Sequence, residues 1–438
     1  MKSHILLIAS YLLIVLLAAT PILAIANLAF AQHAGALVAA IMLAIAARGP
    51  EAEIASTAPL LKRFAPAILI PVVWMVLQTF PLPSSLAHPI WSATSIALND
   101  PLLPGRISLD PGATLRSLFL YLADVSLVVS TVILAKDRHR AETILFVLCA
   151  VTTFMSVEVL LGRLDLLAGM LPDASAPTSS FPAAAALATV ANAALVARAI
   201  ERHLHQQDIR NLASVPLWLG LLCGLFGIAA AVAAMASLAR GTLLAAVGLG
   251  LTVIVFIAAT RRLGFRSWPS AILFVVLVAI AGALAVQRLQ SGDSGLLGLV
   301  SFAPEAAALA GRLLSDAPRL GIGVGTFALA SRAYQDFGAA AVAVPPSSAV
   351  LIAIESGRLA LVILAGFAAQ LFFFTFRGAV RRGRDFFFAS AAAAGVLLVF
   401  CESFLDASLL SPAVRIIVAV TIGLGLAQSA GRTSGLKR

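Results

Sequence analysis

Apolar residues in this chain come in long unbroken runs separated by short polar clusters, not in the alternation of a half-buried strand or the stripe of a surface helix. The runs fall at about 5–28, 33–48, 64–81, 113–135, 142–162, 181–199, 215–238, 241–260, 268–287, 347–376, 386–404 and 411–428. Most are roughly 17–24 residues long, enough for an α-helix to cross a hydrocarbon layer about 30 Å thick. Inside a bilayer every backbone N–H and C=O needs a partner within the chain, and runs of this length satisfy them as helices. A barrel strand would alternate over about ten residues. The pattern predicts an all-α integral membrane protein of about 12 transmembrane helices. The second run is short, and the tenth is long enough to tilt or to extend beyond the membrane. The first, from Ile5 to Phe30, exceeds the apolar core of a signal peptide and reads as an uncleaved span.

Composition agrees with this pattern. Of 438 residues, 61% are hydrophobic and 11% charged, against about a quarter charged in soluble domains. A globule could not hide that much apolar surface from water. The net charge is +10, yet the basic residues sit in short clusters between runs, which excludes nucleic acid as a partner and fits loops retained in the cytoplasm. With Lys2 inside, the inside connections hold Arg48, Lys62 and Arg63; Lys136, Arg138 and Arg140; Arg198, Arg202 and Arg210; Arg261, Arg262 and Arg266; and Arg377, Arg381, Arg382 and Arg384. The tail adds Arg432, Lys437 and Arg438. Both termini are therefore expected in the cytoplasm. Cys149, Cys223 and Cys401 lie in or beside apolar runs and read as small buried hydrophobes.

Three parts follow: nine spans in 1–287, a long periplasmic loop at 288–346 with short helices, and three spans with a short tail in 347–438. Within the loop, Pro304 to Asp316 has helical spacing, with Leu309, Arg312 and Asp316 on one face beside Leu313. A glycine turn, Gly321-Ile-Gly-Val-Gly325, separates it from a second helix, Thr326 to Phe337. That turn lacks the lysine and hydroxyl ending of a phosphate loop.

Arginines are the candidate chemistry. Arg240 lies between the seventh and eighth runs, where a guanidinium either snorkels to headgroups or grips a phosphate with its two-pronged fork. Arg288, Arg312, Arg319 and Arg332 in the loop, with Arg358 after it, make five arginines and no lysine. Singly they anchor the interface or pair with Asp316 or Asp336; as a group they suit a diphosphate. Glu355 stands one turn before Arg358, placed for an ion pair or for activating an acceptor hydroxyl. The acids Asp124, Glu158, Glu402 and Asp406 are fewer than a proton-coupled pump would carry, and the histidines form no metal cluster.

Several segments, in order, resemble the O-antigen ligase and polysaccharide polymerase superfamily of bacterial inner membranes. Trp74-Met-Val-Leu-Gln-Thr-Phe-Pro-Leu-Pro83 with Ile107-Ser-Leu-Asp-Pro111 is similar to the family's first periplasmic loop. Ser237-Leu-Ala-Arg-Gly241 is similar to its Ser-x-Ser-Arg-Gly segment, with Ala239 in place of the second serine. Gly311-Arg-Leu-Leu, Pro318-Arg-Leu-Gly-Ile-Gly-Val-Gly-Thr-Phe327, Tyr334 and Glu355-Ser-Gly357 resemble its long periplasmic loop and the following span. The resemblance implies an enzyme without cofactor, nucleotide sugar or metal. It would move a glycan from undecaprenyl diphosphate to a lipid or glycan acceptor, working beside polysaccharide-assembly proteins. It implies catalytic roles for Arg240 and Glu355, and substrate contacts for Arg312, Arg319, Arg332, Arg358 and Tyr334. One departure stands out: the family's histidine and asparagine, eight or nine residues before Glu-x-Gly, are replaced within Val344-Pro-Pro-Ser-Ser348. Two other readings fit the same residues: a degenerate member that binds lipid-linked glycan or a partner enzyme without catalysis, and a twelve-span transporter. The transporter reading places the largest loop awkwardly, between spans nine and ten instead of between equal halves.

Overall fold

The computed structural model describes residues 2–83, 85–100, 102–164, 178–206, 214–238, 241–263, 304–335, 344–381 and 385–430. Every regular element among them is helical. In chain order they are α1 (Lys2–Ala18), α2 (Thr20–Ile25), α3 (Leu28–Ala46), α4 (Glu51–Thr79), α5 (Pro89–Leu98), α6 (Pro111–Leu134), α7 (Arg138–Arg163) and α8 (Ser180–Gln206). They continue with α9 (Ser214–Ser237), α10 (Gly241–Leu263), α11 (Pro304–Asp316), α12 (Phe327–Ala333), α13 (Ser348–Glu355), α14 (Arg358–Arg381), α15 (Phe386–Leu405) and α16 (Pro412–Ser429). Among the described residues, 10 helices are long and apolar enough to cross a membrane, so the chain is an all-α, multi-pass membrane protein. Their sides keep large apolar residues outward, such as Phe30, Phe119, Trp218 and Leu359, as expected where the solvent is lipid. Arg240, the start of the long loop and the ninth apolar run lie outside the described residues.

The bundle closes around α8, α15 and α16, whose alanines and glycines let backbones approach closely. A Cβ at Gly425 would stand 1.9 Å from Ala392 Cβ, so α15 and α16 touch only because position 425 has no side chain. One end of the bundle is basic and internally paired. Arg140 meets Glu53 at 3.2 Å, Arg138 meets Asp385 at 2.9 Å, and Arg198 and Arg202 hold Glu142 at 2.7 and 2.6 Å.

The opposite end carries a cap with its own small core of Leu309, Leu313, Ile322, Phe327, Ala330 and Ile354. Helix α11 forms where its spacing predicts, but it buries Leu309 and Leu313 there and leaves Arg312 and Asp316 exposed, so Leu309 does not share a face with the two charges as expected. The second loop helix is shorter than its pattern predicts: it ends at Ala333, with Tyr334 as its C-cap. The tenth apolar run is not one span. It breaks at Ser356-Gly357, where Gly357 takes φ 92°, and only α14 continues as a span, while α13 joins the cap core. Hydrophobicity is continuous across this break because both halves are buried, one in protein and one in lipid.

Candidate functional site

The cap is stitched to the bundle by four segments that are distant in sequence. Leu109 N–H donates to Ile322 O at 2.9 Å, and Ile322 N–H to Ile354 O at 3.1 Å. Gln78, fully buried near the end of α4, accepts from Val324 N–H at 3.2 Å and donates to Glu355 O at 3.0 Å. Glu355 O also accepts from Gly323 N–H at 3.0 Å, which fills both of its lone pairs. Trp74 Nε1 donates to Ser356 O at 3.1 Å, and Thr114 Oγ1 to Val324 O at 3.0 Å. The turn can pass this close only with glycine. A Cβ at Gly323, where φ is 107°, would stand 2.4 Å from Ser108 Oγ, and one at Gly321 would stand 2.2 Å from Glu355 O. The segments at 74–83, 107–111, 318–327 and 355–357, read separately along the chain, form one hydrogen-bonded knot.

Beside the knot lies a cavity of about 850 Å³, within the range of ligand sites. Its walls come from α2, α3, α4, α6, α14 and the start of α16 and are mostly apolar, with Ile70, Trp74, Met75, Leu359 and Ile363 among them. The charged groups on it are Arg319, Glu355 and Arg415; Gln32 and Tyr121 add polar atoms.

Glu355 is 5% exposed, and its carboxylate accepts from Phe327 N–H at 2.9 Å. Burial pushes its pKa up from 4.5 to about 7, against the pull of the backbone N–H groups of Gly325, Phe327 and Thr326. The ion pair with Arg358 that the sequence offers is not formed. Helix geometry is interrupted between them at Gly357, and Arg358 Nη2 instead donates to Leu314 O at 3.0 Å.

Of the other sequence candidates, Arg319 is on the cavity wall beside Glu355. Arg312, Arg332, Arg358 and Tyr334 are not on that wall. Arg312 and Arg332 are exposed on the cap. Tyr334 packs against the cap core and hydrogen-bonds Asp316, and burial, then the Asp316 charge and that bond, raise its pKa. Arg240 lies outside the described residues.

Sequence reading missed Arg415, and took Asp124 only as an acid within a span, not as the partner of Arg415. Arg415 Nε donates to Asp124 Oδ2 at 2.8 Å, and its Nη2 reaches the same oxygen. A signal was present: a lone arginine in the first turn of the last apolar run, and a lone acid within the run at 113–135. Two such charges in lipid-spanning helices call for each other. No protein-family model and no curated protein matches this chain.

Proposed function

We propose that this chain is a bacterial inner-membrane glycosyltransferase of the O-antigen ligase and polysaccharide polymerase type. It moves a glycan from undecaprenyl diphosphate to an acceptor hydroxyl at the periplasmic face. About twelve spans, cytoplasmic termini and a periplasmic cap belong to the same proposal, and the basic character of the opposite end of the bundle supports that orientation. The observation that carries the reading is the cavity, whose mostly apolar walls include both Arg319 and Glu355. Such a lining suits an amphiphile with an apolar tail and an anionic head.

In the reaction, the acceptor oxygen attacks the anomeric carbon and Glu355 takes the hydroxyl proton. The bond from that carbon to the diphosphate oxygen breaks, and the electron pair leaves with undecaprenyl diphosphate. Arg319, together with Arg240, neutralises the charge that develops there. A carboxyl with a pKa of about 7 suits the base at neutral pH, because it is available unprotonated yet still holds a proton well.

The test is surface glycan in the native cell. Arg240→Ala and Arg319→Gln variants, present in the membrane at wild-type level, are expected to lose it, with transfer down roughly a hundredfold for one oxyanion-stabilising group. Unchanged glycan in both would sink the enzyme reading. Binding without catalysis is favoured by one observation at the positions where the family's histidine is missing. Pro345 and Pro346 are buried there; Ser347 Oγ accepts from Val350 N–H at 3.3 Å, and Ser348 Oγ donates to Asp406 O at 3.3 Å. Both hydroxyls are engaged, so neither is placed to act as a base; purified protein that turns over undecaprenyl-diphosphate glycan would end the binding-only reading, and no turnover would favour it.

A further inference from the structure

Arg415 sits in the first turn of α16 and is one of the residues that line the main cavity. A guanidinium on an apolar membrane helix is stable only against a counter-ion or in a watery site. Asp124, near the middle of α6, supplies the counter-ion, but in an unusual way. Two nitrogens of Arg415, Nε and Nη2, both reach a single oxygen, Oδ2. A purely structural arginine–carboxylate pair favours two parallel bonds to two oxygens. Here Nη1 meets no acceptor among the described residues.

The placement of the two groups adds direction. A small second pocket of about 30 Å³ lies between α3, α6 and α16; Arg415 lines both this pocket and the main cavity, whereas Asp124 lines only the small one. Asp124 therefore meets Arg415 on the side of the small pocket, and its carboxylate fixes the rotamer of an arginine that also borders the main cavity. Arg319 reaches the same cavity from the cap turn, on a different element.

We infer that Arg415 is a second anion-binding residue of the cavity, oriented by Asp124 as a positioning residue. With Arg319 it selects a lipid-linked diphosphate over a monophosphate. Two guanidinium groups on separate walls match two phosphoryl groups, and one alone would serve a single phosphoryl nearly as well. This inference rests on the lipid-linked diphosphate reading above and adds the residue that sets its head-group preference.

The experiment uses the purified full chain in nanodiscs and four probes: geranylgeranyl diphosphate, geranylgeranyl monophosphate, geranylgeraniol and inorganic pyrophosphate. Wild type is expected to bind the diphosphate at least tenfold more tightly than the monophosphate, and pyrophosphate weakly for want of a tail. Arg415→Gln removes that preference by weakening diphosphate binding tenfold or more, while Arg319→Gln weakens both phosphates. Asp124→Asn shifts the preference in the same direction as Arg415→Gln without changing geranylgeraniol binding, a readout that loss of structure alone would not give. If Arg415→Gln does not fold, the neutral pair Asp124→Asn with Arg415→Gln replaces it, since neither charge is then left unpaired. A folded variant of either kind with an unchanged diphosphate preference overturns the role of Arg415 and leaves the function reading standing. Wild type that binds no prenyl phosphate overturns both. Pyrophosphate binding as tight as that of the prenyl diphosphate overturns the lipid source.

Discussion

At the scale of single residues, Glu355 shows how a side chain can be structural and chemical at once. Its backbone oxygen and its carboxylate both hold the glycine turn, which fixes the residue at the cavity wall. Burial is the larger influence on its protonation, and it favours the neutral form. The sign for stability follows from that. The folded protein keeps the proton to about pH 7, and the unfolded chain releases it near 4.5. The stabilisation is complete below the unfolded value and is lost as pH rises through the folded one, on the order of 3 kcal/mol in all. Chemical or thermal unfolding of the protein in nanodiscs across pH 4.5 to 8 should show this decline in wild type. Glu355→Gln, which can still accept from Phe327 N–H, should flatten it; an equally steep decline in that variant would mean another group titrates. The residue was legible in the sequence as a candidate, but its protonation was not, because desolvation depends on neighbours from distant segments.

At the scale of elements, α4 illustrates how a membrane helix carries proline. Pro59, Pro66 and Pro71 lie inside it. Pro71 lacks the N–H that would have bonded Ala67 O, four residues earlier. The Tyr121 hydroxyl, from α6, stands 3.2 Å from Ala67 O and donates to this freed carbonyl, with Ile68 O also within reach at 3.3 Å. Away from water an orphaned carbonyl is destabilising. Tyr121→Phe is expected to destabilise the protein by about 1–3 kcal/mol, the usual effect of leaving one buried polar group unsatisfied. A thermal midpoint in detergent equal to wild type would show that α4 relaxes without the hydroxyl. The prolines could be read from the sequence; the partner of the carbonyl that Pro71 frees could not, since it sits 54 residues from Ala67. The same limit hid the break in the tenth run. Gly357 announces itself only through a φ of 92° and through Arg319 O, which a Cβ there would approach to 2.4 Å.

At the scale of the whole molecule, two ends with different chemistry define a direction: a paired basic end and a capped end beside the cavity. In the proposed orientation the cap faces the periplasm. In a background with Cys149, Cys223 and Cys401 replaced, a cysteine at exposed Arg332 should react with a membrane-impermeant maleimide in intact spheroplasts. A cysteine at exposed Arg381 should react only after permeabilisation. The reverse pattern would put the cap in the cytosol and end the glycan-transfer proposal. By itself the sequence determined the solvent, the helical class, the approximate spans and the segregation of charge, because these follow from the length and sign of local runs. Tertiary structure alone decided which arginines share a cavity. Arg319 and Arg415 are 96 positions apart, and Arg415 and Asp124 are 291 apart. No local pattern encodes such meetings; helix packing sets them, through small-residue contacts and the demand that every charge and carbonyl in lipid find a partner.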